Sequence, residues 1–172
     1  PGPRRRPFAG RVFVRNGRVA FRDYMAGART LPVTTTLHNV DALVDASREP
    51  SYGFHVVASG AEGKFDLLRV LGCYNSQDSV VRLDANATTV NASLAAAYAP
   101  PLGGVVIENG VLRPNLGISA KHVGDRWVTR VSGVLGVEGL ALRLPGVRER
   151  VRRVSGRVVL ADDQVAVSLS GT

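Results

Sequence analysis

Cysteine is almost missing from this chain: Cys73 stands alone, so no internal disulfide can form and no thiolate set can hold zinc. Lysine is nearly as scarce. Of 22 basic residues only Lys64 and Lys121 are lysines. Aromatics make up 6% of the chain, too few for the stacking platforms on which single-stranded nucleic acid is held. No run of about 18 apolar residues that could cross a membrane as a helix is present. No charged and then apolar start resembles a signal peptide.

Catalytic patterns are missing too. There is no G-x-S-x-G, and the glycine-rich stretches lack the Gly-Lys-Ser/Thr ending of a phosphate cradle. His38, His55 and His122 are solitary, with no His or Cys at ligand spacing. Asp41 and Asp45, on one face of a strand, would stand roughly 13 Å apart, too far for an acid/base pair. Cys73 reads as a small apolar residue at the end of a helix, and Asp162-Asp163 as turn formers rather than calcium ligands. The expectation is therefore no enzyme: no catalytic residues, no metal and no cofactor. The Asn-Ala-Thr and Asn-Ala-Ser sequons at 86–88 and 91–93 carry no weight without a sign of secretion.

What the chain does have is positive charge, glycine and β-branched residues. A formal net charge of +8 would ordinarily point to nucleic acid or an anionic membrane. The arginines are spread along the chain, however, and a GC-rich coding bias accounts for them equally well, so no nucleic-acid partner is expected. Nineteen glycines and recurring turn signals favour an all-β fold.

Asn-Gly occurs twice, and as a two-residue type I′ turn it would make a hairpin. Around Asn16-Gly17, Val14 would face Val19 and Val12 would face Phe21. Arg11, Arg15, Arg18 and Arg22 would then lie on the other side. Around Asn109-Gly110, Ile107 would meet Leu112, with Val105 near Pro114. With Asp162-Asp163 as a third turn, Val158, Leu160, Val165, Val167 and Leu169 share a face. Single strands alternate likewise, Tyr52, Phe54, Val56 and Ala58 against His55, and Val81, Leu83, Ala85 and Ala87 against Arg82, Asp84 and Asn86. The stretch 126–142 reads as at least one more hairpin with glycines at its bends. Three segments read as short helices: 64–72, 91–98 with an Asn cap, and 146–154, which carries Arg148, Arg150, Arg152 and Arg153. This last helix reads as a solvated amphipathic element, with anionic lipid headgroups as the next alternative.

The start F-x-G-x-V-x-V-x-N-G-x-V-x-F-x-D (Phe8, Gly10, Val12, Val14, Asn16, Gly17, Val19, Phe21, Asp23), the following LHNVDALVD (37–45), and the junctions YAPPLGGVVIENG and LPGVRERVRRVSGRVVL together resemble the TamB and AsmA-like envelope proteins and their plastid counterparts. The resemblance covers nearly all of residues 1–172 as a style of repeat. It implies a repetitive antiparallel sheet curled into an open trough, taco-like, with an apolar interior. The start at Pro1 and the end in VSLSGT fit one β-rich segment of a larger protein. The parent would be anchored in the inner membrane, would span the periplasm, and would serve phospholipid transport or outer-membrane protein assembly. The partners implied are phospholipid acyl chains and, through other parts of the parent chain, an outer-membrane β-barrel assembly protein.

The apolar faces can be explained in two ways. A closed β-sandwich, as a binding or adhesion module, would bury them on each other and recognise an anionic partner through Arg11, Arg15, Arg18 and Arg22; an open groove would offer them to acyl chains. Composition suits both, and the resemblance favours the groove. The lipid-facing residues would then be Val12, Val14, Val19, Phe21, Val105, Ile107, Leu112, Val158, Leu160, Val165 and Val167.

Overall fold

The computed structural model describes residues 9–23, 33–60, 64–96, 104–161 and 164–171. Among these residues ten strands form one antiparallel sheet: β1 (Arg11–Asp23), β2 (Val33–Arg48), β3 (Ser51–Gly60), β4 (Leu67–Asn75), β5 (Val80–Ala87), β6 (Val90–Asn91), β7 (Val106–Val123), β8 (Arg126–Arg143), β9 (Val151–Ala161) and β10 (Gln164–Ser170). A short helix, α1 (Ala92–Ala96), separates β6 from β7. The spatial order follows the chain, β1-β2-β3-β4-β5-β7-β8-β9-β10, with β6 paired to β7 off this path. Such a meander needs only local pairing, so each strand can add to the edge left by the one before it. The two outer strands do not pair with each other, and the sheet is curled but not closed. The closed sandwich is therefore not the fold: among the described residues no second sheet lies over the apolar face.

The two Asn-Gly pairs do not turn the chain. Both lie inside strands, at bulges where the register shifts, between Val14 and Gly17 in β1 and between Asn109 and Val111 in β7. The backbone preference behind the motif is still met, since Asn16 has φ 49° and Gly110 φ 128°, but positive φ serves a bulge as well as a turn. Asp41 Oδ1 accepts a hydrogen bond from Asn16 N at 2.9 Å and pins the first bulge. In a regular strand, residues five apart point to opposite faces. The extra residue of each bulge restores the parity, so Val14 and Val19 share a face, as do Ile107 and Leu112. The expected apolar faces thus survive although the hairpins do not.

Three further expectations are corrected. Residues 126–143 form one strand, and Gly133, Gly136 and Gly139 lie within it rather than at bends. At Gly133 the chain has φ 128°, and a Cβ there would come within 2.2 Å of Asn115 O; this is a kink where neighbouring backbone approaches closely, one of the devices that curve a sheet. Residues 67–75 are β4, not a helix, because Leu68, Val70, Gly72 and Tyr74 fill the ladder between β3 and β5. Residues 151–161 are β9, so the basic helix is absent. Pro145-Gly146 makes a turn, and Val151 and Val154 then pair with Leu142 and Leu140 on the open edge of β8. Short apolar runs carry no decisive period, and tertiary pairing settles them. Only the middle helix forms, over Ala92–Ala96, with Asn91 Oδ1 accepting from Ser93 N at 2.9 Å as its cap. Residues 97 and 98 of that expected helix lie outside the described residues, as does the Asp162-Asp163 turn. The pairing on either side of that turn is as expected, with Val165 opposite Leu160 and Val167 opposite Val158.

The two ends of the strands differ. Short links join β2 to β3, β4 to β5, β7 to β8 and β9 to β10 at one end; the longer connections all lie at the other. At the long-connection end α1 folds back on the apolar face. There Ala92 packs with Leu112, Val137, Leu140 and Val154 into the buried cluster, and Ile107, Leu135, Leu142, Val151 and Val158 lean against it. Nearby, Phe65 is buried above the end of β3, where its ring would meet any Cβ on Gly60. Its carbonyl accepts from Gly60 N at 3.2 Å.

Candidate functional site: an uncovered apolar strip

Following the register from strand to strand yields one row that crosses the whole sheet: Val14, Ala42, Val56, Val70, Ala85, Leu116, Gly133, Leu160 and Val165, each the direct partner of the next. No polar side chain interrupts it. At about 4.8 Å between strands, eight spacings give an apolar strip roughly 38 Å long, running across the strands. A second row, Val12, Val44, Phe54, Gly72, Leu83, Ile118 and Val131, runs beside it toward the hairpin end.

In the middle of the strip the side chains are half-buried, and toward both margins they are exposed: Val14 is 44% accessible, Phe21 50%, Val167 59% and Val165 63%. Among the described residues no second layer covers the middle, so its shelter comes from neighbouring side chains and from the curl of the sheet. The opposite face is polar or mixed. On β4 and β5 it carries Arg69, Leu71, Cys73, Arg82, Asp84 and Asn86.

The eleven residues expected to face lipid are divided by the structure. Val12, Val14, Val19 and Phe21 lie exposed at the β1 margin, and Val165 and Val167 at the β10 margin. Leu160 is half-buried on the strip itself, and Val158 half-buried beside the cluster. Leu112 is buried beneath α1 and Ile107 packs on the same cluster, so both belong to the plugged end and not to the open strip. Val105 precedes β7 and is half-buried; it has no partner in the ladder, and Pro114 pairs with Leu135 instead. The centre of the strip, above all Val70, Leu116 and Ile118, was missed by hairpin-centred reasoning. Alternation through Leu112, Pro114, Leu116, Ile118 and Ala120 was the signal that could have found it.

Charged candidates have local structural work. Asp45 pairs with Arg11 at 2.9 Å. The Ser47 hydroxyl and amide both donate to the Asp45 carboxylate, and with Arg11 nearby they hold its pKa down at about 2. Arg150 is 3.4 Å from Glu108, which also meets Arg143 at 2.6 Å. His122 packs edge-on against Trp127 with ring centroids 5.2 Å apart. Cys73 is half-buried in β4, not at a helix end, opposite Arg82 on the polar face. Among the described residues no group of three or more His, Cys, Asp or Glu is placed to hold a metal, and no helix is long and apolar enough to cross a membrane.

No family model, no curated protein and no solved structure matches this chain.

Proposed function

We propose that this chain is a non-enzymatic segment of a TamB-like cell-envelope protein, whose apolar strip carries phospholipid acyl chains between membranes. The observation that supports this reading is the nine-strand apolar row, over which no layer is packed among the described residues. A single-layer sheet of this kind leaves a long greasy surface in contact with water, and large exposed apolar surfaces on soluble proteins mark binding sites. An acyl chain laid along the strip and burying about 300 Å² of apolar surface would gain roughly 7 kcal/mol before the costs of binding. The headgroup stays in water, so no dedicated ligating residue is needed. On this reading the parent protein is anchored in the inner membrane and works in the periplasm, and any support of outer-membrane β-barrel assembly runs through other parts of it.

The test is native mass spectrometry and lipid extraction of the purified chain. Co-purified phospholipid is expected, and it should be lost in Leu83→Asp and Ile118→Asp variants whose circular dichroism stays β-rich. A chain that binds no phospholipid during purification or after exposure to vesicles contradicts the proposal.

A further inference from the structure

We propose that the polar face carries a separate binding site for a phosphoryl group, built on β5, β7 and β8. Arg82, Ser119 and Arg130 stand in one cross-strand row, with Lys121 two residues along β7 from Ser119. The central strand is low: Ser119 lies between the long side chains of Arg82 and Arg130, and Gly117, one row further, lies between Asp84 and Ser132. Two depressions of about 490 and 250 Å³ meet over this low strand, sharing Arg82, Ser119 and Arg130.

Three cations are thus gathered around a small-residue floor. Asp78 lines one depression and Asp84 the other. Among the described residues, however, the ion pairs are Arg11–Asp45, Arg113–Glu138, Arg143–Glu108 and Arg150–Glu108, and none involves Arg82, Lys121 or Arg130. Arg82 and Arg130 are two strand spacings apart, about 10 Å between backbones, close enough for both guanidinium groups to reach one anion between them. Planar guanidinium forks match phosphate oxygens, and Lys adds a point charge. The Ser119 hydroxyl can donate from the floor. A phosphate oxygen set there relieves the repulsion between like charges that the sheet register forces together. The site lies on the face opposite the apolar strip, so it does not depend on lipid occupying that strip. The phosphoryl group can come from a lipid headgroup at a membrane surface or from a small soluble phosphate.

Isothermal titration calorimetry of the whole chain with inorganic phosphate provides the test, together with co-sedimentation on phosphatidylglycerol and phosphatidylcholine vesicles. Saturable phosphate binding is expected, weakened about tenfold or more by Arg82→Gln or Arg130→Gln, a loss of charge-assisted hydrogen bonds. Ser119→Leu should weaken it similarly without changing the charge, by filling the floor. Arg157→Gln, an exposed arginine of β9 outside the depressions, should have no effect. Phosphatidylglycerol binding that inorganic phosphate competes away assigns the site to a headgroup; phosphate binding without vesicle binding assigns it to a soluble phosphate. The proposal is overturned if phosphate does not bind saturably. It is equally overturned if Arg157→Gln weakens binding as much as Arg130→Gln, or if Ser119→Leu leaves binding intact.

Discussion

The long-connection end of the sheet and its open middle are written in the same alternating code, yet they put it to different use. At the first, α1 and the Phe65 segment cover the apolar face, and Ala92, Leu112, Leu140 and Val154 become a core. In the second, Val70, Leu116 and Leu160 present the same chemistry with no layer above them among the described residues. Alternation therefore specifies a face, and the connections decide whether that face is a core or a surface. In a single-layer sheet most residues contribute ladder hydrogen bonds and neighbour packing, while stability from full burial is concentrated where the connections fold back.

That contrast can be broken first at the plugged end. Leu140→Ala is expected to cost about 2–5 kcal/mol, the usual range for emptying a packed leucine site, read as a lower denaturant midpoint. Gly133→Ala should be comparably damaging, because the added methyl meets the Asn115 carbonyl; a midpoint close to wild type would show that the kink is dispensable. In the open strip the order reverses: Val167→Ser, at an exposed margin, is expected to change stability by only about 0.5 kcal/mol or less while reducing phospholipid co-purification. If Val167→Ser unfolds the chain as readily as Leu140→Ala, the two regions do not differ in the way described. Arg113→Ala, which removes an exposed ion pair with Glu138, should cost between about 0.2 and 1 kcal/mol.

The smallest effect concerns pH. The Asp45 pKa is lowered from 3.8 to about 2 by the Ser47 hydroxyl and amide and by Arg11. A carboxylate whose folded pKa is depressed contributes stability that is present above its unfolded pKa and lost as pH falls toward the folded one. Its contribution should therefore fade between pH 3.8 and about 2. Asp45→Asn should remove that part of the acid sensitivity, measured as the difference in thermal midpoint between pH 5 and pH 3 (a window chosen to bracket the unfolded value).

Much of the fold was legible because period two survives local ambiguity. The alternations at Tyr52–Ala58 and Val81–Ala87 became strands with the expected faces. Asn-Gly was legible as a demand for positive φ but not as topology, since nothing local tells a bulge from a turn. The helices expected over 64–72 and 146–154 do not form, because Leu-Leu-Arg-Val-Leu and Val-Arg-Arg-Val suit a helix until the edge of a neighbouring strand claims them. The site was half visible: its margins lie in the strongest alternating runs, whereas its centre is defined only by the register between strands far apart in sequence. Leu112 looked like Val14 in the sequence. What separated them is α1, whose place over β7 is a tertiary fact.

Photocrosslinking along β3 provides the most direct test of an open apolar strip that takes acyl chains. With p-benzoylphenylalanine in place of Val56, on the strip, or of its neighbour Val57, on the polar face and outside the proposed phosphoryl site, irradiation in the presence of phospholipid should yield lipid adducts at residue 56 and not at 57, because neighbouring residues of a strand point to opposite faces. Equal labelling at the two positions, or adducts at 57 alone, would contradict it.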